Sequence, residues 1–128
     1  MFIEGNPSIN IDLEPGIYVL DGRSASGKTY LANLMERYRA SNPMLRSYSY
    51  SDVLDDTSLC TKVKPQTKIL LLDRYDMYYD KIDNNFLNNF VSNNRGIVIV
   101  DCKLLSNMRI EYKFGVLDFE EKGIVVHT

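Results

Sequence analysis

The segment Gly22-Arg23-Ser24-Ala25-Ser26-Gly27-Lys28-Thr29 constrains this chain more than any other. It fits the pattern G-x-x-x-x-G-K-[ST] without a mismatch, and its surroundings suit it. The apolar run Ile17-Tyr18-Val19-Leu20 leads straight into it. Leu31, Leu34, Met35 and Tyr38 follow at the i, i+3, i+4, i+7 spacing of one helix face. A buried strand, a glycine turn and an amphipathic helix are expected in direct succession. Glycines let backbone curl closely around an anion. Successive N–H groups then converge on it, and the start of the helix adds the positive end of its dipole. Lys28 is expected to reach the outer phosphates of a nucleoside triphosphate, and the Thr29 hydroxyl to ligate magnesium. Gly22, Ser24, Ala25, Ser26, Gly27, Lys28, Thr29 and the adjoining Tyr30 make up the expected nucleotide-binding set.

The rest of the chain reads as alternating strands and helices. Ile9, Ile11 and Leu13 alternate with polar residues, as in a half-buried strand, and Pro15-Gly16 marks a turn. Asn42-Pro43 ends the first helix. A strand over Leu45–Tyr50 and a short helix starting at Ser51 follow. Lys68–Asp73 and Ile97–Val100 are apolar runs suited to buried strands, and Ile82, Phe86, Leu87 and Phe90 between them recur at helical spacing. Ile110, Tyr112, Phe114 and Val116 fall at period two before Glu121-Lys122-Gly123 and Ile124–Val126, which predicts a terminal hairpin. Apolar strands alternating with amphipathic helices argue for a parallel sheet covered by helices.

Composition narrows the function classes. At 128 residues, 1–128 is expected to be one domain. A formal charge of −2 gives no general attraction to nucleic acid or to an anionic membrane. The longest apolar run, Ile69–Leu72, is strand-sized, and the start MFIEGNPSIN has no basic, apolar leader, so a cytoplasmic protein is expected. Cys60 and Cys102 show no C-x-x-C spacing and the single histidine, His127, lies near the end, so no zinc site is expected. A disulfide stays open, though two buried free thiols in a reducing cytosol are the simpler reading.

On Gly22–Thr29 and on Ile69-Leu70-Leu71-Leu72-Asp73, the chain resembles the P-loop NTPase superfamily, in its ABC/AAA-like branch. The first segment looks like the Walker A motif and the second like Walker B. Leu13–Leu31, with its Pro-Gly turn, is similar to the corresponding stretch of those ATPases. The resemblance implies an α/β three-layer fold: a mainly parallel central sheet flanked by helices, with antiparallel strands added at the N- and C-terminal ends. It implies ATP and Mg2+ as ligands, the metal held by Thr29 and Asp73. It also implies that Ile97–Val100 lies between the two motif strands, with Asp101 sensing the γ-phosphate. Without the family, Asp73 reads equally as a cap on the next helix and Asp101 as an ordinary strand-end acid.

The departures concern turnover. Arg74 stands where the ATPases of this branch keep a glutamate that orients water; Asp76, and after it Asp80, are the nearest substitutes. No L-S-G-G-Q signature or C-terminal helical lid follows, and Arg74, Arg95 and Arg109 are equal candidates for an arginine finger. Lys28, Asp76 and Asp101 are the catalytic candidates. Hydrolysis also requires an oriented water and stabilised transferring charge. It is therefore expected to be slow, partner-dependent or absent. Three readings stand: a minimal ATPase or ATP-dependent switch; a small nucleoside or nucleotide kinase, since Asp73-Arg74-Tyr75 looks like the D-R-Y of thymidylate kinases; and a non-enzymatic nucleotide-binding module. No N-K-x-D selects guanine, so ATP is chosen over GTP. Tyr75, Tyr78 and Tyr79 are a candidate surface for a protein partner or self-association, although tyrosines at such spacing more often line the rim of a core.

Overall fold

The computed structural model describes residues 1–20, 25–55 and 63–128. Its strands are β1 (Phe2–Ile3), β2 (Ser8–Asp12), β3 (Gly16–Leu20), β4 (Leu45–Tyr48), β5 (Ile69–Leu72), β6 (Ile97–Val100), β7 (Lys113–Phe119) and β8 (Gly123–His127). Its α-helices are α1 (Ala25–Tyr38), α2 (Tyr50–Asp55) and α3 (Asn84–Asn94). All eight strands form one sheet in the order β1-β2-β8-β7-β3-β6-β5-β4.

The strands β3, β6, β5 and β4 are mutually parallel neighbours. Every residue of β5 and β6 is buried, which a strand needs when both of its faces are covered. Alternation divides those side chains between two cores. Ile69, Leu71, Ile97 and Ile99 pack with Leu31, Leu34 and Met35 of α1, and Leu70, Leu72, Val98 and Val100 pack with Leu87 and Phe90 of α3.

The other half of the sheet is built differently. In β2 and β8 only alternate residues are buried: Ile9 and Ile11, Ile124 and Val126. These four join the α1 core, together with Ile3 of β1 at one sheet edge and Leu45 of β4 at the other. A flat eight-stranded sheet would be about 34 Å wide, so residues of opposite edges share one core only because the sheet curls around α1. The expected three-layer fold with a mainly parallel sheet is therefore corrected. The structure is a curled, mixed half-barrel with three short helices among the described residues. The terminal strands have one apolar face each, which a second helical layer could not use. Of the terminal strands only β1 is an antiparallel addition at an edge of the sheet. β7 enters mid-sheet, parallel to β3, and β8 pairs parallel with β2. The expected hairpin is present as β7–β8, but β7 buries Gly115 and Leu117, the alternate face to Phe114 and Val116.

The ends of α3 follow ordinary capping. Asp83 accepts the Asn85 N–H at 2.9 Å. Ile82 and Leu87, both in the second core, hold the positions of a hydrophobic staple. Arg95 closes the helix in a left-handed conformation, φ 53° and ψ 41°, which glycine adopts without strain. Arg95→Gly is expected to raise stability by about 0.5 kcal/mol in urea unfolding. Gly96→Ala is the opposing control, because a Cβ there would lie 2.2 Å from the buried Phe90 ring.

Candidate functional site

The parallel register places the carboxyl ends of β3, β6 and β5 side by side, with Val19 level with Val100 and Val100 level with Leu72. The strand ending in Asp101 thus lies between the one that leads into α1 and the one ending in Asp73. Main-chain bonds hold both acids in place. The Asp73 N–H donates to Tyr48 O and the Asp101 N–H to Leu72 O, each at 3.0 Å. The Tyr75 N–H donates to Asp101 O at 2.9 Å.

Lys28, in the first turn of α1, is only 5% exposed. Its Nζ lies 3.4 Å from Asp101 Oδ1. A cleft of about 640 Å3 opens at this point, lined by Lys28, Thr29, Asp73, Arg74, Asp101 and Lys103 among others. Of the sequence-predicted set, Lys28, Thr29, Asp73 and Asp101 thus come together. Ala25, Ser26 and Gly27 belong to the first turn of α1. Tyr30 is exposed and stacks on Phe119 of β7 instead. Gly22 and Ser24 lie outside the described residues, as does Cys60. Among the arginines, Arg74 lines the cleft in a left-handed conformation (φ 55°, ψ 46°), whereas Arg95 caps α3 and Arg109 lies 5.1 Å from the centre of the Tyr79 ring.

Asp73 is the unbalanced group. Its Oδ1 is buried without a hydrogen-bond partner. Burial, and after it the charge of Asp101, push its carboxyl above the usual carboxylate range, with Arg74 offsetting them in part. An orphaned buried carboxylate oxygen fits a bound hard cation. Among the described residues no group of three or more His, Cys, Asp and Glu could hold a metal unaided. A magnesium ion that keeps its water and phosphate ligands needs only one or two protein oxygens, and Asp73 and Thr29 both line the cleft.

The raised Asp73 pKa has a definite consequence for the ligand-free fold. The folded state holds the Asp73 proton more tightly than the unfolded chain does. Stability therefore falls as pH rises from the ordinary carboxylate range through the raised value. Asp73→Asn is expected to raise Tm at pH 7 by about 2 °C, a figure discounted because the residue is only partly buried. The gain should vanish below the pKa of an ordinary aspartate. Thermal unfolding of both proteins across pH 3–8 reads this directly.

Two tyrosines that the sequence offered as partner surface or core rim instead support the site from within. Tyr78, fully buried, donates its hydroxyl to Asp73 O at 2.6 Å, and Tyr75 packs edge-on against it. The expected partner surface at Tyr75, Tyr78 and Tyr79 thus reduces to half-buried Tyr79. The i, i+3 spacing of Tyr75 and Tyr78 directly after a strand-end acid was the available signal.

Asp76, the candidate substitute for the missing glutamate, is engaged elsewhere. It accepts the Lys103 N–H, the Leu104 N–H at 3.1 Å and Asn107 Nδ2 at 3.2 Å, and takes the Cys102 thiol at 2.9 Å. Burial alone would raise its carboxyl, but these donors outweigh it and hold it below the usual range. Burial, then Asp76, push the Cys102 thiol up to about 12, which leaves it inert as a nucleophile near neutral pH. Asp76 therefore anchors the loop 102–107, whose Cys102, Lys103 and Leu105 line the cleft.

Among the described residues no helix is long and apolar enough to cross a membrane. Comparison with family models, with curated proteins and with solved structures returns no match, so the chain's chemistry has to be read from its own residues.

Proposed function

We propose that this chain binds a nucleoside triphosphate, ATP with magnesium, in the cleft between the start of α1 and the ends of β5 and β6. The observation that carries the reading is the buried Lys28 facing Asp101, beside an Asp73 whose Oδ1 has no partner. A lysine this buried, at the amino end of a helix and facing the Asp101 carboxylate, suits a polyanion that can compete with Asp101 for it. Magnesium, when bound, would neutralise charge on the outer phosphates; Thr29 and Asp73 would hold it.

Binding is better supported than fast turnover. Arg74 follows Asp73, the Asp76 oxygens serve the loop 102–107, and Asp80 is exposed on a separate turn. Neither Asp76 nor Asp80 is thereby assigned to orient an attacking water. The reading is an ATP-dependent switch or a weak ATPase whose hydrolysis awaits a protein partner or a second copy. A cytosolic location accompanies it, because that compartment supplies the nucleotide and keeps thiols reduced. Calorimetric titration of magnesium–ATP into the wild type and Lys28→Ala, paired with a phosphate-release assay, tests it. Binding that depends on Lys28, with slow release, is expected; a wild type that binds no nucleotide refutes the reading.

A further inference from the structure

We infer that the stacked pair Tyr30–Phe119 is the platform for the base of the bound nucleotide, with Phe119 the residue that selects a nucleotide over a bare polyphosphate. The inference rests on the triphosphate reading above and adds what holds the other end of the ligand.

The two rings lie 6.1 Å apart with planes 19° from parallel. Both are exposed, Tyr30 at 42% and Phe119 at 56%. Their place on α1 gives the pair its meaning. Lys28 and Tyr30 are two residues apart, roughly 200° around the helix. Lys28 turns toward Asp101 of the parallel half-sheet, and Tyr30 toward Phe119 at the end of β7. The cation and the aromatic pair therefore flank the amino end of one helix from opposite sides. An elongated ligand laid across that end, with its phosphates at Lys28, brings its far end to the rings.

Position along the strand adds to this. β7 pairs with β3 only as far as Leu20 opposite Gly115, so Val116–Phe119 run on past the end of β3, alongside the start of α1. At Gly27 the approach is close enough that a Cβ would meet the Phe119 ring at 2.8 Å and Leu117 at 3.0 Å. The helix turn that carries Lys28 thus touches the ring directly. A planar base is the part of a nucleotide that gains from a flat aromatic face. Such stacking commonly contributes about tenfold in affinity and tolerates different bases. A purine, with the larger face, is expected to bind more tightly than a pyrimidine.

The competing explanation is that Phe119 merely covers Gly27. Calorimetric titration of magnesium–ATP and of magnesium–tripolyphosphate into wild type, Phe119→Leu and Lys28→Ala separates the two. Leucine keeps the apolar cover and removes the aromatic face. Phe119→Leu is expected to weaken ATP about tenfold and to leave tripolyphosphate within twofold, whereas Lys28→Ala weakens both. If Phe119→Leu changes neither ligand, or both alike, the platform is wrong while the triphosphate reading stands. If the wild type binds neither ligand, both fall. Phe119→Trp gives a second readout should the leucine variant fold poorly. The chain has no tryptophan, so the new indole is the one such fluorophore; quenching by ATP and not by tripolyphosphate is expected, and equal responses to the two would overturn the platform.

Discussion

Lys28→Ala is expected to lower the affinity for magnesium–ATP by at least about 100-fold, as truncating one partner of a desolvated charge contact commonly does. The size follows from burial. Lys28 is 5% exposed and fixed against Asp101, whereas Lys103, which also lines the cleft, is exposed on the loop 102–107 and is not held in that position. The ligand-free protein should also respond, because the partly buried Asp101 and Asp73 are left with less countercharge. Open to the cleft, they can recover some hydration, and a loss of roughly 1–2 kcal/mol is expected rather than the full cost of breaking a buried pair. Adding Asp101→Asn to Lys28→Ala should restore most of that loss. A double-mutant cycle by urea unfolding measures the coupling, and additive losses would mean that the two side chains do not act as a pair.

Asp76→Ala is expected to cost more in stability, about 2–3 kcal/mol, with Tm falling by roughly 10 °C. Its carboxylate gathers donors from Cys102, Lys103, Leu104 and Asn107, and charge-assisted bonds of this kind are the stronger class. Lys103 and Leu104 are exposed, so water can take over some of the freed donors, which keeps the figure below the sum of the bonds. The pH dependence runs opposite to that of Asp73. A carboxyl held below its ordinary range contributes stability above the unfolded value near 3.8, and loses it as pH falls through the lowered value. Thermal unfolding of wild type and Asp76→Ala should therefore converge in strong acid. The variant should also weaken nucleotide binding less than Lys28→Ala does, since it loosens a wall of the cleft without removing the cation.

The contrast between Asp73 and Asp76 shows where sequence reading ran out. Both acids were legible as candidates from their distance to an apolar strand. What separates them is the loop 102–107, some 27 residues further on, whose amides surround one and not the other. Local periodicity reported well what is local: the four-residue runs of β5 and β6, the stripe of α1, and the acids that follow the strands. It carried no information on which strands distant along the chain become neighbours; the place of β6 between β3 and β5 was implied only by the family resemblance. The period-two pattern of Ile110 to Val116 predicted a hairpin correctly, yet the face that packs inward belongs to Gly115 and Leu117. The pairing of β7 with β3, which places Phe119 beside Tyr30, joins residues about 95 positions apart along the chain. The fold class failed for the same reason. One-sided strands at the two ends looked like appendages, when together they make half of the sheet.

That closure by remote strands bears on how the protein is made. During synthesis α1 emerges early, but the wall formed by β7 and β8 follows only from residue 113 onward, and β2 waits for residue 123 before it can pair with β8. Contacts of such sequence separation slow folding, because chain entropy is lost before they repay it. A nascent chain stopped before residue 113 would carry the whole glycine-lysine segment and yet lack Leu117, Ile124 and Val126 from the core that seats its helix. A chain truncated before residue 113 is therefore expected not to fold and, on the proposed reading, not to hold nucleotide.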